Sequence, residues 1–337
     1  MMNTKPAARP DLPGPPPIAG LDVRYLVDQA DYEPLSALIR DCHEHDGIPW
    51  MPTADNLRLD MRRDGIDPSR DVVLVAAYGD LVALTAVQRD VRDDVPTYVV
   101  WGWVEPGRRR RGLGRWLLDW SLRRAAERAA IEDPDATVLL STHAEEREAG
   151  ARALYERDGF VPVRQFFLMR RSGLGDVPDL PLPEGLDMRP VQPDQHRTIY
   201  DAENEAFRDH WGHHEHGEEG FRQTFNQPDT NTDLWTVAWD GDQVAGVVET
   251  WIWPEENRRL DVRRGWLERI SVRRPWRKLG VARALTAAAM IKLREVGMDE
   301  AMLGVDAENP NGALGLYESL GFTVFRRSTA YRRPLER

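Results

Sequence analysis

The sequence predicts an α/β fold of the α+β kind, built twice in tandem: two domains, each a mixed, mostly antiparallel sheet flanked by helices. Three observations carry this expectation. The 337 residues are too many for one small domain and suit two of about 150 to 170 each. Four blocks of sequence recur in the same order in both halves. Within each half, short β-like runs alternate with longer helical stretches.

The first block is "LDVR" at 21–24, answered by "LDMR" at 186–189. "VLVAAYGDLVALTAV" at 73–87 is answered by "WTVAWDGDQVAGVVE" at 235–249, and both read as hairpins turning at a Gly-Asp pair. "VEPGRRRRGLGRWLLDWSL" at 104–122 matches "VRRPWRKLGVARALTAAAM" at 272–290, and "ALYERDGF" at 153–160 matches "GLYESLGF" at 315–322. Spacing holds as well as order: 80 residues lead from Arg24 to Val104, and 83 from Arg189 to Val272. A duplicated domain explains both.

Each half then reads as strand, helical stretch, hairpin, strand, loop, long helix, strand, helix, strand. The helical stretches are 24–60 and 191–227. Residues 1–20 are rich in proline and lack the continuous apolar run of a signal peptide, so a disordered tail is expected there. Residues 171–185, "RSGLGDVPDLPLPEG", carry neither period and read as a linker. The expected domains are therefore 21–170 and 186–337.

Composition removes several functions. A net charge of −11 does not supply the broad basic face that nucleic acid requires. No apolar run approaches the roughly 20 residues that span a bilayer, so no membrane partner is expected. The single cysteine, Cys42, allows no intrachain disulfide and fits a reducing cytoplasm. A monomer or a homodimer would suit such a chain.

Against that acidity, "EPGRRRRGLGRW" at 105–116 places four arginines in a row. The second copy explains them. Leu267, Ile270 and Val272 read as a strand, followed by a loop and Arg277, Lys278, Leu279, Gly280, Val281 and Ala282, then a helical run from Arg283 to Glu295. A strand, a glycine turn and a helix N-terminus form an anion cradle, because successive main-chain N–H groups and the helix dipole point the same way. Gly280 and Ala282 are small enough for a diphosphate to approach the backbone, and Arg277 and Lys278 can add charge from the side. The first half repeats the spacing with Val104, Arg109, Arg110, Arg111, Gly112, Leu113 and Gly114.

Arg/Gln-x-x-Gly-x-Gly/Ala after a strand, with Ala-x-x-x-Tyr-x-x-x-Gly-Phe downstream, resembles the GNAT N-acetyltransferase superfamily. The resemblance covers both halves. With "AENPNGALGLYESLGF" in the second, the tandem is similar to the mycothiol synthase family of two-domain acetyltransferases. It implies a sheet whose two neighbouring parallel strands splay apart, with acetyl-CoA in the cleft as co-substrate and no metal. It also implies that an amine attacks the thioester directly. By that resemblance, main chain at Ile270, Ser271 and Val272 pairs with the pantetheine arm, Asn309 contacts the same arm, and Tyr317 is the general acid at sulfur. Glu268, four residues before Val272, is the catalytic or water-ordering carboxylate, which calls for a raised pKa or a water relay. In the first half Val100 stands for Glu268 and Arg147 for Asn309. The second half is thus expected to be catalytic, and the first either binds acetyl-CoA structurally or has lost turnover.

"RDHWGHHEHGEE" at 208–219 holds His210, His213, His214 and His216, in a spacing that fits no standard zinc set. It falls where the superfamily builds its acceptor pocket. His210 and Trp211, with Trp251 and Trp253, are the acceptor-binding candidates. The expected activity is N-acetylation of a small-molecule amine. Acetylation of a protein or peptide amine, and a non-catalytic CoA-binding sensor or scaffold, are the alternatives.

Overall fold

In both repeats the hairpin closes where the Gly-Asp pair was read, between β-runs ending at Ala77 and Asp240 and resuming at Asp80 and Gln243. The computed structural model describes residues 9–213, 217–227, 229–309 and 312–336. The chain divides into two units: Met1–Val163 with Thr329–Arg337, and Arg164–Ser328.

Unit 1 opens with β1 (Leu21–Tyr25), α1 (Tyr32–Asp46), α2 (Ala54–Asp60) and α3 (Pro68–Asp71). It continues through β2 (Val72–Ala77), β3 (Asp80–Arg92), β4 (Val95–Val104), α4 (Leu113–Glu132), β5 (Leu139–Glu145) and α5 (Ala149–Arg157). The next strand, β6 (Val161–Ser172), passes into unit 2 at Arg164. Unit 2 holds β7 (Asp187–Met188), α6 (His196–Phe207), α7 (Glu218–Asn226), β8 (Thr236–Asp240), β9 (Gln243–Trp251) and α8 (Pro254–Leu260). It ends with β10 (Arg264–Val272), α9 (Val281–Glu295), β11 (Glu300–Asp306) and α10 (Ala313–Ser319). β12 (Thr323–Pro334) then returns to unit 1 from Thr329 onward.

Strand order is β1-β2-β3-β4-β5-β12 in unit 1 and β7-β8-β9-β10-β11-β6 in unit 2. Among the pairings described, β1–β2–β3–β4 in unit 1 and β7–β8–β9–β10 and β6–β11 in unit 2 are antiparallel, and one pairing in each unit is parallel. β4 and β5 run parallel and pair only from Thr97↔Leu139 to Val99↔Ser141. β10 and β11 run parallel and pair only from Arg264↔Glu300 to Trp266↔Met302. Beyond those residues the two parallel strands part. This is the splay that the resemblance implied.

The domain boundaries differ from those expected. Segment 171–185 is no free linker, since Leu174 and Val177 are buried in the core of unit 2 and Leu180 and Leu182 pack against it. Residues 9–20 are no disordered tail either. Leu12 and Ile18 pack on the core of unit 1, and Trp116 Nε1 donates to the Pro13 carbonyl at 3.0 Å. Residues 1–8 lie outside the described residues. In both segments isolated apolar residues stand between prolines. The prolines break any period, yet the apolar side chains still gain by leaving water. "DLPGPPPIAGLD" at 11–22 and "DLPLPEGLD" at 179–187 are thus a fifth duplicated block, visible once the packing is known.

Candidate active site

The main difference between the units lies in the strand before the glycine turn. In unit 1, β3 and β4 pair without interruption from Ala83↔Val104 to Arg92↔Val95. In unit 2, the β9–β10 register slips between Glu268 and Ser271. Arg269, inside the slip, has φ +43°, a left-handed conformation that costs an L-residue about 1–2 kcal/mol. Gly246 allows the slip from the other strand, for a Cβ there would lie 2.8 Å from the Ser271 carbonyl oxygen. Its counterpart in unit 1 is Leu84.

The bulge opens onto a cavity of about 480 Å³ between the parted ends of β10 and β11. Leu267 to Val272 line one side, Gly304 to Asp306 and Asn309 the other. Tyr317 and Leu316 of α10 contribute too, and Phe207 and His210 come from α6 and just beyond it. The far end is the turn: Arg277, Lys278, Gly280, Val281, Ala282 and Arg283. Glu268, Tyr317, Asn309, His210 and most of the predicted cradle therefore share one enclosure.

The turn fits an anion. Lys278 (φ +62°) and Gly280 (φ +94°) bend the main chain, and α9 starts at Val281 with no side-chain cap on its free N–H groups. A Cβ on Gly280 would meet nothing within 4 Å, which leaves open the approach that a diphosphate needs. Leu279 is exposed and faces away from the cavity lining.

Arg277 does not add a loose charge, as the sequence suggested. Its Nε donates to the Val272 carbonyl at 2.9 Å, and its other nitrogens hold Asp209 at 2.6 Å and the Ala206 carbonyl at 3.1 Å. Arg109 does the same work in unit 1, on the Val104 carbonyl at 3.0 Å and on Asp46 at 2.7 Å through both terminal nitrogens. Each arginine ties the strand end to the helix that ends beside it. The cationic side chains left to the cradle are Lys278 and Arg283, both exposed.

The first cradle has the same backbone, with φ +64° at Arg110 and +92° at Gly112. Its surroundings differ. A Cβ on Gly112 would lie 3.3 Å from Pro16. Pro13 to Pro17 line one groove together with Arg111 and Gly112, so the proline segment lies beside this turn. Leu113 is buried, and Gly114 faces Leu154. Val100, the counterpart of Glu268, is buried core.

Burial and neighbouring carboxylates push the Glu268 carboxyl up to about 7, with Glu249 the main raising charge and Arg269 opposing it. The sequence called for such a rise or a water relay, and the burial that causes the rise is visible only in the fold. Burial likewise raises the Tyr317 phenol, so it keeps its proton at neutral pH. His210 is pushed down by burial and by Arg277.

Trp211 does not itself line the cavity; its ring lies 5.9 Å from that of Phe166, which does. Trp251 and Trp253 stack at 5.3 Å and do not line this cavity. Trp251 is buried and donates Nε1 to Glu249 at 3.1 Å. His214 and His216 lie outside the described residues. Among the described residues no three His, Cys, Asp or Glu side chains are grouped as a metal site, and no helix is long and apolar enough to cross a membrane.

Residues 196–322 match the acetyltransferase (GNAT) family and residues 69–162 an acetyltransferase (GNAT) domain. Over 307 residues the chain is 30% identical to a mycothiol acetyltransferase of Thermobispora bispora, covering 90% of this chain and 96% of that protein.

The chain belongs to the GNAT acetyltransferase family.

A mycothiol acetyltransferase of Geodermatophilus obscurus is 28% identical over 311 residues, 91% of this chain and 96% of that protein. Among solved structures, a GCN5-related N-acetyltransferase from Sphaerobacter thermophilus superposes with a TM-score of 0.73 at 28% identity. It covers 94% of this chain and 96% of its own. A tandem GNAT protein from the clavulanic acid pathway gives 0.68 at 17% identity, covering 94% and 99%, and shares the fold. The protein is thus a tandem GNAT N-acetyltransferase.

Proximity in sequence flagged Glu268 but not its surroundings. Glu203 on α6, Glu249 on β9 and the bulged Arg269 were missed. One signal was available: where the second half has Glu249, the matching block of the first has Val87.

Proposed function

We propose that unit 2 transfers the acetyl group of acetyl-CoA to the primary amine of a small molecule by direct attack, and that unit 1 does not turn over. The observation that carries this is one cavity in unit 2 lined by Glu268, Tyr317 and the open Gly280 turn. Its counterpart strand in unit 1 has neither bulge nor carboxylate.

Bound acetyl-CoA supplies an activated acyl group. The rest is the work of this chain. The uncapped N–H groups at Gly280 to Ala282, with Lys278 and Arg283, hold the diphosphate. Main-chain groups of Ile270 to Val272, left without a parallel partner where β10 and β11 part, bind an extended arm as an added strand. The bulge turns an N–H toward the carbonyl oxygen, where negative charge builds. Glu268, with its carboxyl near 7, accepts a proton from the acceptor ammonium directly or through one water. Tyr317, protonated and 6% exposed, returns a proton at the thiolate sulfur.

The acceptor enters beside His210, Phe207 and Phe166. The relatives' name makes the amine precursor of mycothiol the first candidate acceptor. The test is an amine panel including that precursor, with acetyl-CoA and free-thiol detection, on wild type and Glu268→Gln. Turnover on a small amine that collapses in the variant supports the reading. Acetylation of peptides alone, or thiol release with no acceptor preference, sinks it.

A further inference from the structure

Behind Glu268 lies a charge cluster that the proposed chemistry does not use. Arg269 lies at the cavity's edge, with Nε 3.5 Å from Glu203 and 3.6 Å from Glu249. Its guanidinium sits over the Phe207 ring at 4.4 Å. Glu203 is 0% exposed and Glu249 2%. Both oxygens of Glu203 and Oε1 of Glu249 are buried with no hydrogen-bond partner. Two fully buried carboxyls beside one cation are costly to keep, so a purely structural cluster would be better replaced by apolar side chains. In unit 1 the position of Glu249 is in fact Val87, and β4 there has no bulge. Cluster and bulge occur together in the same unit.

Geometry links them to Glu268. Glu249 and Glu268 are direct cross-strand partners at the last paired position before the slip, so their side chains emerge on the same face. Arg269 is the next residue, held at φ +43°.

We propose that Arg269, clamped between Glu203 of α6 and Glu249 of β9, is a positioning residue that fixes the β10 bulge and, with Glu249, sets the charge that Glu268 meets in the cavity. The proposal rests on the reading of Glu268 as the proton acceptor. Burial raises both the Glu203 and the Glu249 carboxyl, Glu203 raises Glu249 further, and Arg269 lowers both. The balance acts on Glu268 with two signs: Glu249 raises its carboxyl and Arg269 lowers it. The other groups around Glu268 are Glu256 of α8, which also raises it and is itself held by Arg264 at 3.1 Å and Trp266 Nε1 at 3.0 Å. Tyr200 of α6, and His210, Asp306, Tyr317, Arg277, Lys278 and Arg283 around the cavity, complete the set.

The experiment titrates Glu268 itself in the full-length protein without acetyl-CoA or acceptor. The probe is carbon NMR of chains labelled at the glutamate carboxyl, with Glu268→Gln assigning the signal. Glu249→Gln should lower the Glu268 midpoint by at least about one pH unit, and Arg269→Met should raise it by a similar amount. Arg269→Lys should restore it most of the way. A role in folding alone cannot move one carboxyl in opposite directions. If Arg269→Met does not fold, as circular dichroism would show, Glu249→Gln alone decides. Shifts of one sign in both variants, or an unmoved midpoint in Glu249→Gln, overturn the proposal. The outcome is separable from the catalytic reading: opposite shifts with full turnover in Glu268→Gln would keep the cluster's effect and discard Glu268 as the base.

Discussion

Glu268 and Glu249 face each other across the β9–β10 ladder at the last pair before the strands slip out of register. Burial raises the Glu268 carboxyl first, and the like charge so placed adds to it, which together bring it to about 7. An acid whose folded pKa is raised favours folding while protonated. That stability is full below the unfolded value near 4.3 and is lost as pH rises through about 7. Glu268→Gln should therefore be more stable than wild type at pH 8, by about 1–2 kcal/mol since water reaches the cavity. The two should match closely at pH 4. Thermal melts at both values check this, and an equal difference at both would contradict it.

With Glu268 as the proposed proton acceptor, the same ionisation should govern turnover. The rate should rise on an acidic limb near pH 7, and Glu268→Gln should lose that limb together with about 10²–10⁴ in kcat. A pH profile of kcat/KM for both proteins is the measurement. A limb that survives in the variant assigns it to another group.

Tyr317 is buried among cavity residues, with Phe322 edge-on at 6.2 Å. Tyr317→Phe keeps the packing and removes only the hydroxyl. We expect kcat to fall at least about 100-fold while acetyl-CoA affinity changes less than about threefold. Steady-state kinetics with calorimetry separate the two, and an unchanged kcat would make this tyrosine mere packing.

Gly280 and Gly112 occupy the same backbone position, at φ +94° and +92°. Alanine at either costs about 1 kcal/mol in strain. Only at Gly280 should it also obstruct a ligand. KM for acetyl-CoA should rise about tenfold or more in Gly280→Ala and stay near wild type in Gly112→Ala, although denaturant melts should show both destabilised.

Much of this site was legible because the chain states its motif twice. Spacing alone aligned Gly112 with Gly280 and Tyr155 with Tyr317, and the departures Val100 and Arg147 pointed to unit 2. What stayed hidden depends on three-dimensional pairing. Arg269 reads as an ordinary strand residue, since nothing in "LERISV" says that the ladder slips there. Arg277 reads as a phosphate ligand until Asp209 is found against it. The proline-rich segments read as loops because periodicity registers regular elements, whereas Leu12, Ile18, Leu174 and Val177 bury themselves from irregular backbone. The strands that cross between units at Arg164 and Thr329 leave no mark on sequence pattern.

The central claim is that the turn at Gly280 holds acetyl-CoA for catalysis. Calorimetric titration of acetyl-CoA into wild type, Gly280→Val and Gly112→Val, each paired with an acetyl-transfer assay, tests it most directly. The account predicts that Gly280→Val loses one binding site per chain and all transfer, while Gly112→Val keeps the transfer. Full binding and turnover in Gly280→Val, with loss in Gly112→Val, would contradict it.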